Sequence, residues 1–266
     1  SSECNIDPND PLCNFEQLPY KDFRSKFQND LSSSPDSSFV REALGNGLLS
    51  QETQSINPLK FGIIASTDTH LGTPGAVDES SFQGHGGAGK SFRSSIPEGL
   101  PDDIEFNPGG LAVAWAEENS RSAIFDAFKR KEVYGTSGPR FIVRFFVGDN
   151  LDQNLCNNPD NISYAYANAT PMGGTLKSDS ISQASIFITA SADSDIKDQF
   201  IEKLQVVKGV VRNGELLTSV HDVSVTDAPS KLDISNCEVT GSGDKAMCSV
   251  WNDPNFDSSE NAYYYV

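Results

Sequence analysis

Residues 203–214 read KLQVVKGVVRNG, an apolar run of β type that ends on Asn213 and Gly214. Asn-Gly is a strong short-range signal for a two-residue hairpin turn, because both of its positions adopt positive φ. A second β-type run, SVHDVSVTD at 219–227, follows this turn. The stretch therefore predicts an antiparallel hairpin.

Runs of the same type recur along the chain after residue 140. They are RFIVRFFVG at 140–148, QASIFITASA at 183–192, AMCSVWND at 246–253 and AYYYV at 262–266. Clusters of Asn, Gly, Asp and Pro separate the runs, and the one helix suggested in this half is near SDIKDQFIEK at 194–203. Short strands at this spacing predict an all-β, sandwich-like domain over 140–266.

Two helices are predicted before residue 140. The first, SPDSSFVREALGNGLLSQ at 34–51, can be capped by Asp36 or Ser37. The second, SRSAIFDAFKRKE at 120–132, has Ser120 as its N-cap. The apolar residues expected on the buried faces are Val40, Leu44 and Leu48 in the first helix and Ile124, Phe125 and Phe128 in the second.

Short apolar runs that indicate strands lie between these helices or beside them. They are KFGIIAS at 60–66, GLAVAWAE at 110–117 and VYGTSGPR at 133–140. Strands and helices in this mixture indicate an α/β architecture, in which sites are built at the carboxyl ends of the strands. We therefore predict an α/β domain with long loops over 1–139.

The 266 residues carry a formal net charge of -17. This charge argues against nonspecific binding to nucleic acid or to an anionic membrane surface, because both require clusters of basic residues. No apolar run approaches the roughly 20 residues of a transmembrane helix. The chain starts without Met and finishes in a β-type run, and we expect it to be a processed form or a fragment of a longer protein.

The chain has five cysteines: Cys4, Cys13, Cys156, Cys237 and Cys248. No CxxC is present, which argues against a zinc ribbon. Cys4 and Cys13 are close in sequence, as are Cys237 and Cys248, and this spacing favours two short-loop disulfides in an oxidising compartment. Cys156 would then be free or paired outside this chain. The cysteines therefore favour an extracytoplasmic location.

Asp68 and His70 form a D-x-H pair directly after the apolar run at 60–66. In extended backbone, residues i and i+2 point to the same side, so both side chains can reach one metal ion. A carboxylate and an imidazole suit Zn, Mn or Fe. The alternative is a capping Asp beside a surface His. The position at a strand end favours the metal site, and small residues leave room there for a substrate.

His85 lies in the glycine-rich stretch GHGGAGK, and it either faces a substrate or belongs to a surface loop. Gly84, Gly89 and Lys90 match the letters of a phosphate-binding P-loop, but no strand leads into the stretch and no apolar helix follows it. We therefore reject a nucleotide-binding loop. Arg140 directly follows a rigid turn, TSGP, and is a second candidate for substrate contact in a catalytic site.

Other polar residues have a structural alternative to a role in the site. Three polar residues stand at the end of the run at 110–117: Glu117, Glu118 and Asn119. They lie on the same edge of the predicted strands as Asp68, where one of them can face the site, or their charges stabilise the start of the next helix. Three arginines bind an anionic substrate or form salt bridges, and we favour salt bridges; they are Arg121, Arg140 and Arg144. His221 lies within a predicted strand, and we interpret it as structural.

Five motifs together resemble a bacterial family described as domain of unknown function 3604. They are STDTHLGTPGAVDE at 66–79, GHGGAG at 84–89, FNPGGLAVAWAEENSRSAIFDAFKRKEVYGTSGPR at 106–140, VRFF at 143–146 and PMGG at 171–174. The similarity extends from LCNFEQLPY to AYYYV, which is nearly the whole chain. These motifs are long, so the resemblance is specific.

That family resembles the polymerase-and-histidinol-phosphatase (PHP) superfamily of metal-dependent phosphoesterases, which have a distorted β/α barrel. The resemblance implies that the α/β part of this chain is part of such a barrel, and that Asp68 and His70 are the last metal-binding motif, a strand-end D-x-H. The superfamily begins with H-x-H and adds further ligands, whereas this chain has three histidines and no H-x-H. The resemblance therefore implies the C-terminal part of a longer protein, with the other ligands in the N-terminal remainder of the same precursor.

The expected function is a metal-dependent hydrolase that acts on a small anionic substrate, most simply a phosphoester. Asp68 and His70 would hold a divalent metal, and His85 and Arg140 would contact the substrate. The alternative is a secreted or surface-associated structural or binding protein that keeps the hydrolase fold without catalysis. The two expectations differ in whether an H-x-H motif lies upstream in the precursor.

Overall fold

The computed structural model describes residues 40–66, 110–194, 199–229, 231–233, 235–236, 238–241 and 243–266. Its helices are α1 (Val40–Gln54), α2 (Arg121–Arg130) and α3 (Asn161–Asn168). Its strands are β1 (Leu111–Ala114), β2 (Val133–Thr136), β3 (Ile142–Asp149), β4 (Ala169–Pro171), β5 (Ala184–Ser191), β6 (Lys203–Arg212), β7 (Glu215–Val225), β8 (Lys231–Asp233), β9 (Glu238–Thr240), β10 (Ala246–Asn252) and β11 (Ala262–Tyr265).

Two antiparallel sheets form the centre of the described residues. One has the strand order β10-β5-β3-β4 and the other has the order β11-β6-β7. They pack face to face through a buried apolar core to which Phe145, Ile186 and Ile188 contribute from the first sheet and Leu204 and Val206 from the second. The alternation of side chains along each strand places these residues on the inner faces of the sheets.

Each sheet is also covered on its outer face. α1 packs on the three-stranded sheet, where Gly45 lies against the side chain of Leu216. α3 packs on the four-stranded sheet, where Ala165 joins Phe146 and Phe187 in a second buried cluster. The order of layers is therefore helix, three-stranded sheet, four-stranded sheet, helix.

The predicted hairpin is confirmed. Lys203 to Arg212 pair in antiparallel register with Val225 to Glu215, with one irregularity between Leu204 and Gln205. Asn213 and Gly214 connect the two strands with φ of 55° and 79°. Positive φ at both turn residues is the backbone conformation of a type I′ turn, which matches the twist of the flanking strands.

The prediction of a β/α barrel is wrong. β1 and β2 flank α2, but they pair antiparallel, with Leu111 opposite Thr136 and Ala114 opposite Val133. All strand pairs in the described residues are antiparallel. The chain reverses at Lys131, the C-cap of α2, which has φ of 60° and donates its N–H to the carbonyls of Ala127 and Phe128. This reversal places β2 antiparallel to β1, whereas a β/α barrel requires the two strands to be parallel.

Three details of the predicted elements also need correction. Residues 60–66 form no strand. α3, which lies in an Asn-rich stretch, was not predicted. Ser120 caps α2 as expected, accepting a hydrogen bond from the N–H of Ala123, but Phe125 is 62% exposed and Phe128 is 43% exposed, and the buried residue of this helix is Ala127.

The helix predicted at 34–51 is confirmed from Val40 onward, whereas Asp36 and Ser37 lie outside the described residues. On its face toward the sheet, Leu48 is buried but Val40 is exposed. Gly45 and Gly47 lie inside α1, where a Cβ on Gly47 would stand 2.3 Å from Oδ1 of Asn57. These glycines therefore permit close packing and do not end the helix.

The expected pairing of Cys237 with Cys248 is also wrong, whereas that of Cys4 with Cys13 stays a prediction. Cys156, predicted to be left over, forms a disulfide with Cys248, which was expected to pair with Cys237. The two cysteines are 92 residues apart in sequence and flank the buried cluster between α3 and the four-stranded sheet. Cys4, Cys13 and Cys237 lie outside the described residues. The division of the chain at residue 139 stays a prediction.

Candidate functional site

The predicted metal ligands, Asp68 and His70, lie outside the described residues, as does His85. Arg140 is described, and its side chain is exposed. Among the described residues, no group of three or more His, Cys, Asp or Glu side chains is arranged to hold a metal ion. The structure therefore describes the chain that leads to the D-x-H pair as far as Ser66, two positions before Asp68.

The segment that leads to the D-x-H pair is anchored by two glycines. A Cβ on Gly135 would stand 2.6 Å from the backbone N of Ala65, and one on Gly110 would stand 2.9 Å from both N and O of Ser66. Such distances exclude any side chain at either glycine without a shift of the backbone. The absence of a side chain thus lets residues 60–66 run directly along the β1–β2 pair.

This anchor defines one end of the β1–β2 pair. Ser66 lies beside Gly110, which precedes β1, and Leu111 is paired with Thr136 at the same end. The turn after Thr136, in which the N–H of Gly138 donates to Thr136 Oγ1 at 3.3 Å, leads to Arg140. The structure therefore brings the start of the D-x-H segment and the turn before Arg140 to one edge.

Glu117, Glu118 and Asn119 belong to the opposite end. They follow β1 at its carboxyl end, where Ala114 is paired with Val133 and the N–H of Trp115 donates to the carbonyl of Glu132 at 2.9 Å. Ser66 and this group therefore lie at opposite ends of the β1–β2 pair, whereas the expectation that the group shares a rim with Asp68 stays a prediction. The cause of this separation is the antiparallel pairing, which places the two strand ends apart.

A polar cluster that was not predicted joins β2 to the four-stranded sheet. Glu132 is 4% exposed, accepts a hydrogen bond from the hydroxyl of Tyr166 and lies 3.8 Å from Nη1 of Arg144. Arg144 also donates to Tyr166 Oη at 2.5 Å, and its Cζ lies 3.2 Å from the ring centroid of Trp115. This stacking and the ion pair are structural roles, so the salt-bridge interpretation of Arg144 is confirmed.

Two tyrosines in this region remain protonated over a wide pH range. Burial raises the pKa of Tyr166, and the hydrogen bond to the Glu132 carboxylate raises it further. Burial also raises the pKa of Tyr134 and outweighs the opposing hydrogen bond from the N–H of Val143. Tyr134 donates to the carbonyl of Phe141 at 2.8 Å. The Tyr134 hydroxyl therefore joins β2 to the residue before β3, and the Tyr166 hydroxyl joins α3 to Glu132, which precedes β2.

The Glu132 carboxylate is expected to stabilise this junction. Removal of one partner of a buried ion pair costs about 3–5 kcal/mol. Because the Arg144 side chain is 20% exposed, we expect Glu132→Gln to lower the free energy of unfolding by less, about 2–3 kcal/mol. Urea unfolding followed by tryptophan fluorescence measures this change. The control is Glu117→Gln, an exposed site; equal effects of the two changes would contradict the structural role of Glu132.

A second unpredicted polar cluster lies in the other sheet. Lys208 of β6 is 5% exposed and donates to Asp253 Oδ2 at 2.5 Å and to the carbonyl of Asn255 at 2.8 Å. Tyr264 donates to the same carboxylate oxygen at 2.7 Å. The sequence contained a signal for it, since period-2 alternation places Lys208 on the inward face with Val206.

His221 lies in β7, as predicted. Its Nε2 lies 2.9 Å from Ser219 Oγ, and its ring packs on Trp251 with 4.9 Å between centroids. These contacts agree with the structural interpretation. No helix in the described part of the chain is long and apolar enough to span a membrane.

The described residues define a disulfide-containing protein with two packed antiparallel sheets, preceded by the β1–α2–β2 unit against which residues 60–66 lie. The chain belongs to the family described as protein of unknown function DUF3604, whose model matches residues 1–266. No curated protein matches the chain. No solved structure matches it either.

Proposed function

We propose that this chain forms part of a metal-dependent hydrolase of the PHP type that acts on a small phosphoester. The observation that supports this proposal is the anchoring of Ser66. Asp68 is two positions after Ser66, and the glycine contacts hold Ser66 at the edge where the turn to Arg140 lies. Because two residues span at most about 7 Å, the D-x-H pair starts close to this edge.

The residue types fit a divalent ion in part. Asp68 and His70 supply one carboxylate and one imidazole, which suit Zn, Mn or Fe. A catalytic zinc site takes three protein ligands, and the chain would need at least one more from the N-terminal remainder of the precursor. A bound metal would supply polarisation of the phosphoryl oxygen and a lower pKa for a bound water.

The chain's own side chains would bind and orient the substrate. Arg140 carries a planar guanidinium that can bind two phosphate oxygens at once. His85 would contact the substrate from the glycine-rich stretch at 84–89. Groups that hold the substrate in position raise the reaction rate, because the substrate then loses its translational and rotational entropy on binding and not in the reaction step.

The test uses the full precursor, with metal content measured by mass spectrometry and hydrolysis of p-nitrophenyl phosphate as the assay. We expect bound divalent metal, and Asp68→Ala and His70→Ala should each lower metal affinity and hydrolysis by at least about 100-fold, since each removes a metal ligand. The control is Asp78→Ala, which removes a nearby carboxylate outside the pair. A precursor with neither bound metal nor hydrolysis would contradict the proposal.

The second candidate is a structural or binding protein without catalysis. It is favoured by the departure from the superfamily's pattern, since the chain has three histidines and no H-x-H. The sheets would then bind a partner or a ligand. An H-x-H motif upstream in the precursor sequence would favour the enzyme, and its replacement by other residues would favour the binding protein.

We also propose an extracytoplasmic location. The Cys156–Cys248 disulfide supports it, because disulfides persist in oxidising compartments and are rare in the cytosol. The charge of -17 suits a protein that stays soluble without binding polyanions. Thiol labelling of the native protein tests the location: labelling of Cys156 and Cys248 would contradict it.

A further inference from the structure

The dipeptide Asn-Gly occurs twice in the chain, and the structure places the two copies in opposite surroundings. Asn46 and Gly47 lie inside α1, whereas Asn213 and Gly214 form the turn between β6 and β7. In this dipeptide the backbone nitrogen of the second residue can approach the side-chain amide of the first, because glycine has no side chain to obstruct it. The two copies therefore share a chemistry and differ in whether the fold permits it.

The turn leaves Asn213 and Gly214 open to solvent. Both residues are exposed, and a Cβ on Gly214 would have no atom within 4 Å. Among the turn and loop hydrogen bonds of the described residues, none has the N–H of Gly214 as its donor. The last paired residues of the hairpin, Arg212 and Glu215, lie on either side of the turn. The amide nitrogen of Gly214 is therefore free of packing and of a backbone hydrogen bond.

The helix protects Asn46 from the same reaction. Asn46 is exposed, but Gly47 is buried, and a Cβ on Gly47 would stand 2.3 Å from Oδ1 of Asn57 and 3.0 Å from Cβ of Leu59. In an α-helix the N–H of an interior residue donates to the carbonyl four residues earlier, which for Gly47 is that of Ala43. Attack by the Gly47 nitrogen would require local unfolding of α1, whereas an exposed turn opens at a smaller cost in free energy.

We propose that Asn213 is a site of spontaneous deamidation and that the fold protects Asn46. The backbone nitrogen of Gly214 attacks Cγ of Asn213, and a bond forms between these two atoms while the bond from Cγ to the side-chain nitrogen breaks. The side-chain nitrogen leaves as ammonia and takes the proton of the Gly214 amide with it. Solvent water then opens the cyclic succinimide, and no oxidant or reductant takes part.

The succinimide has two carbonyls, so its opening gives two products. Attack of water at Cγ gives aspartate at position 213 with an unchanged backbone. Attack at the main-chain carbonyl gives isoaspartate, in which the main chain runs through Cβ and Cγ and is longer by one atom. A two-residue turn of type I′ depends on the backbone conformation of both residues, so the isoaspartate form changes the connection between β6 and β7. This site does not involve the D-x-H pair and is independent of the proposed metal chemistry.

The test is incubation of the 1–266 chain in mildly alkaline buffer made with heavy-oxygen water, followed by peptide mapping with mass spectrometry. We expect the Asn213 side chain to exchange its amide group for a hydroxyl, with heavy oxygen incorporated, and the peptide to divide into aspartate and isoaspartate forms. Asn46 should react at least about tenfold more slowly, because its reaction requires opening of α1. An unmodified Asn213, or equal rates at the two asparagines, would overturn the proposal.

Two controls separate the effect of the fold from that of the dipeptide. In concentrated guanidinium chloride the two asparagines should react at similar rates, since both glycine amides are then free; a difference as large as in the native chain would overturn the role of the fold. Gly214→Asn keeps a residue that tolerates positive φ but adds a side chain beside the attacking nitrogen, and it should slow the reaction of Asn213 at least about tenfold. An unchanged rate in this variant would contradict attack by the Gly214 nitrogen.

Discussion

Cys248→Ala is expected to lower the free energy of unfolding by about 4–5 kcal/mol, the largest effect that we predict for one substitution. The Cys156–Cys248 bridge closes a loop across a sequence separation of 92 residues. A cross-link over such a loop removes many conformations from the unfolded chain and thereby stabilises the native state. Denaturant unfolding of the variant and the wild-type protein, both without reductant, measures the difference.

The matched controls for this prediction are the other cysteines. Cys156→Ala and the double variant should match Cys248→Ala, because one bridge is lost in each case. Cys237→Ala should leave the bridge intact, and peptide mapping without reduction should still join the peptides of Cys156 and Cys248. A bridge between Cys237 and Cys248, the pairing that short spacing favours, would contradict the structure.

Loss of either member of the Lys208–Asp253 pair is the second large effect that we expect. The Asp253 side chain has no exposed surface and that of Lys208 is 7% exposed. Asp253→Asn or Lys208→Met should each cost about 3–5 kcal/mol, because each leaves a buried charge unpaired. The double variant, which buries neither charge, should cost clearly less than the sum of the two. Strict additivity in urea unfolding would contradict a direct interaction.

The Lys208–Asp253 pair also predicts that the free energy of unfolding falls at acid pH. Burial raises the pKa of Asp253, but hydrogen bonds from Lys208, Tyr264 and the N–H of Asn255 together lower it below its ordinary value. A carboxyl whose folded pKa is depressed contributes stability that is complete above its unfolded pKa of about 4 and is lost as pH falls through the folded value. Asp253→Asn should lack this component of acid unfolding below about pH 4.

The sequence alone was informative about elements that depend on near neighbours. The runs around 140–148, 183–192, 203–227 and 246–253 are strands, because their β-branched and apolar residues suit a pleated, buried surface. The Asn-Gly turn was predictable because its backbone conformation follows from two adjacent residues. Ser120 was identified as the N-cap for the same local reason.

The buried faces of helices, the pairing of strands and the ion pairs were harder to predict, because the residues in contact are remote in sequence. The apolar spacing of α2 predicted a buried Phe125, yet burial depends on which element lies opposite, and Ala127 faces inward instead. The strand predicted at 60–66 had the right composition, but the chain runs beside β2 through glycine contacts without forming a strand. The composition of residues 60–66 therefore did not determine whether they pair as a strand.

The sequence by itself determined where most strands of the second half lie, the hairpin turn, the capped helix α2 and the family, since each depends on local pattern or on long continuous motifs, whereas the short strands β4, β8 and β9 were not predicted. Only the tertiary structure decided that β1 and β2 pair antiparallel, that Cys156 pairs with Cys248, and that Lys208 and Asp253 meet across 45 residues of sequence. The physical reason is that these contacts form between segments far apart in the chain, and packing of the sheets selects among partners that local pattern leaves equivalent.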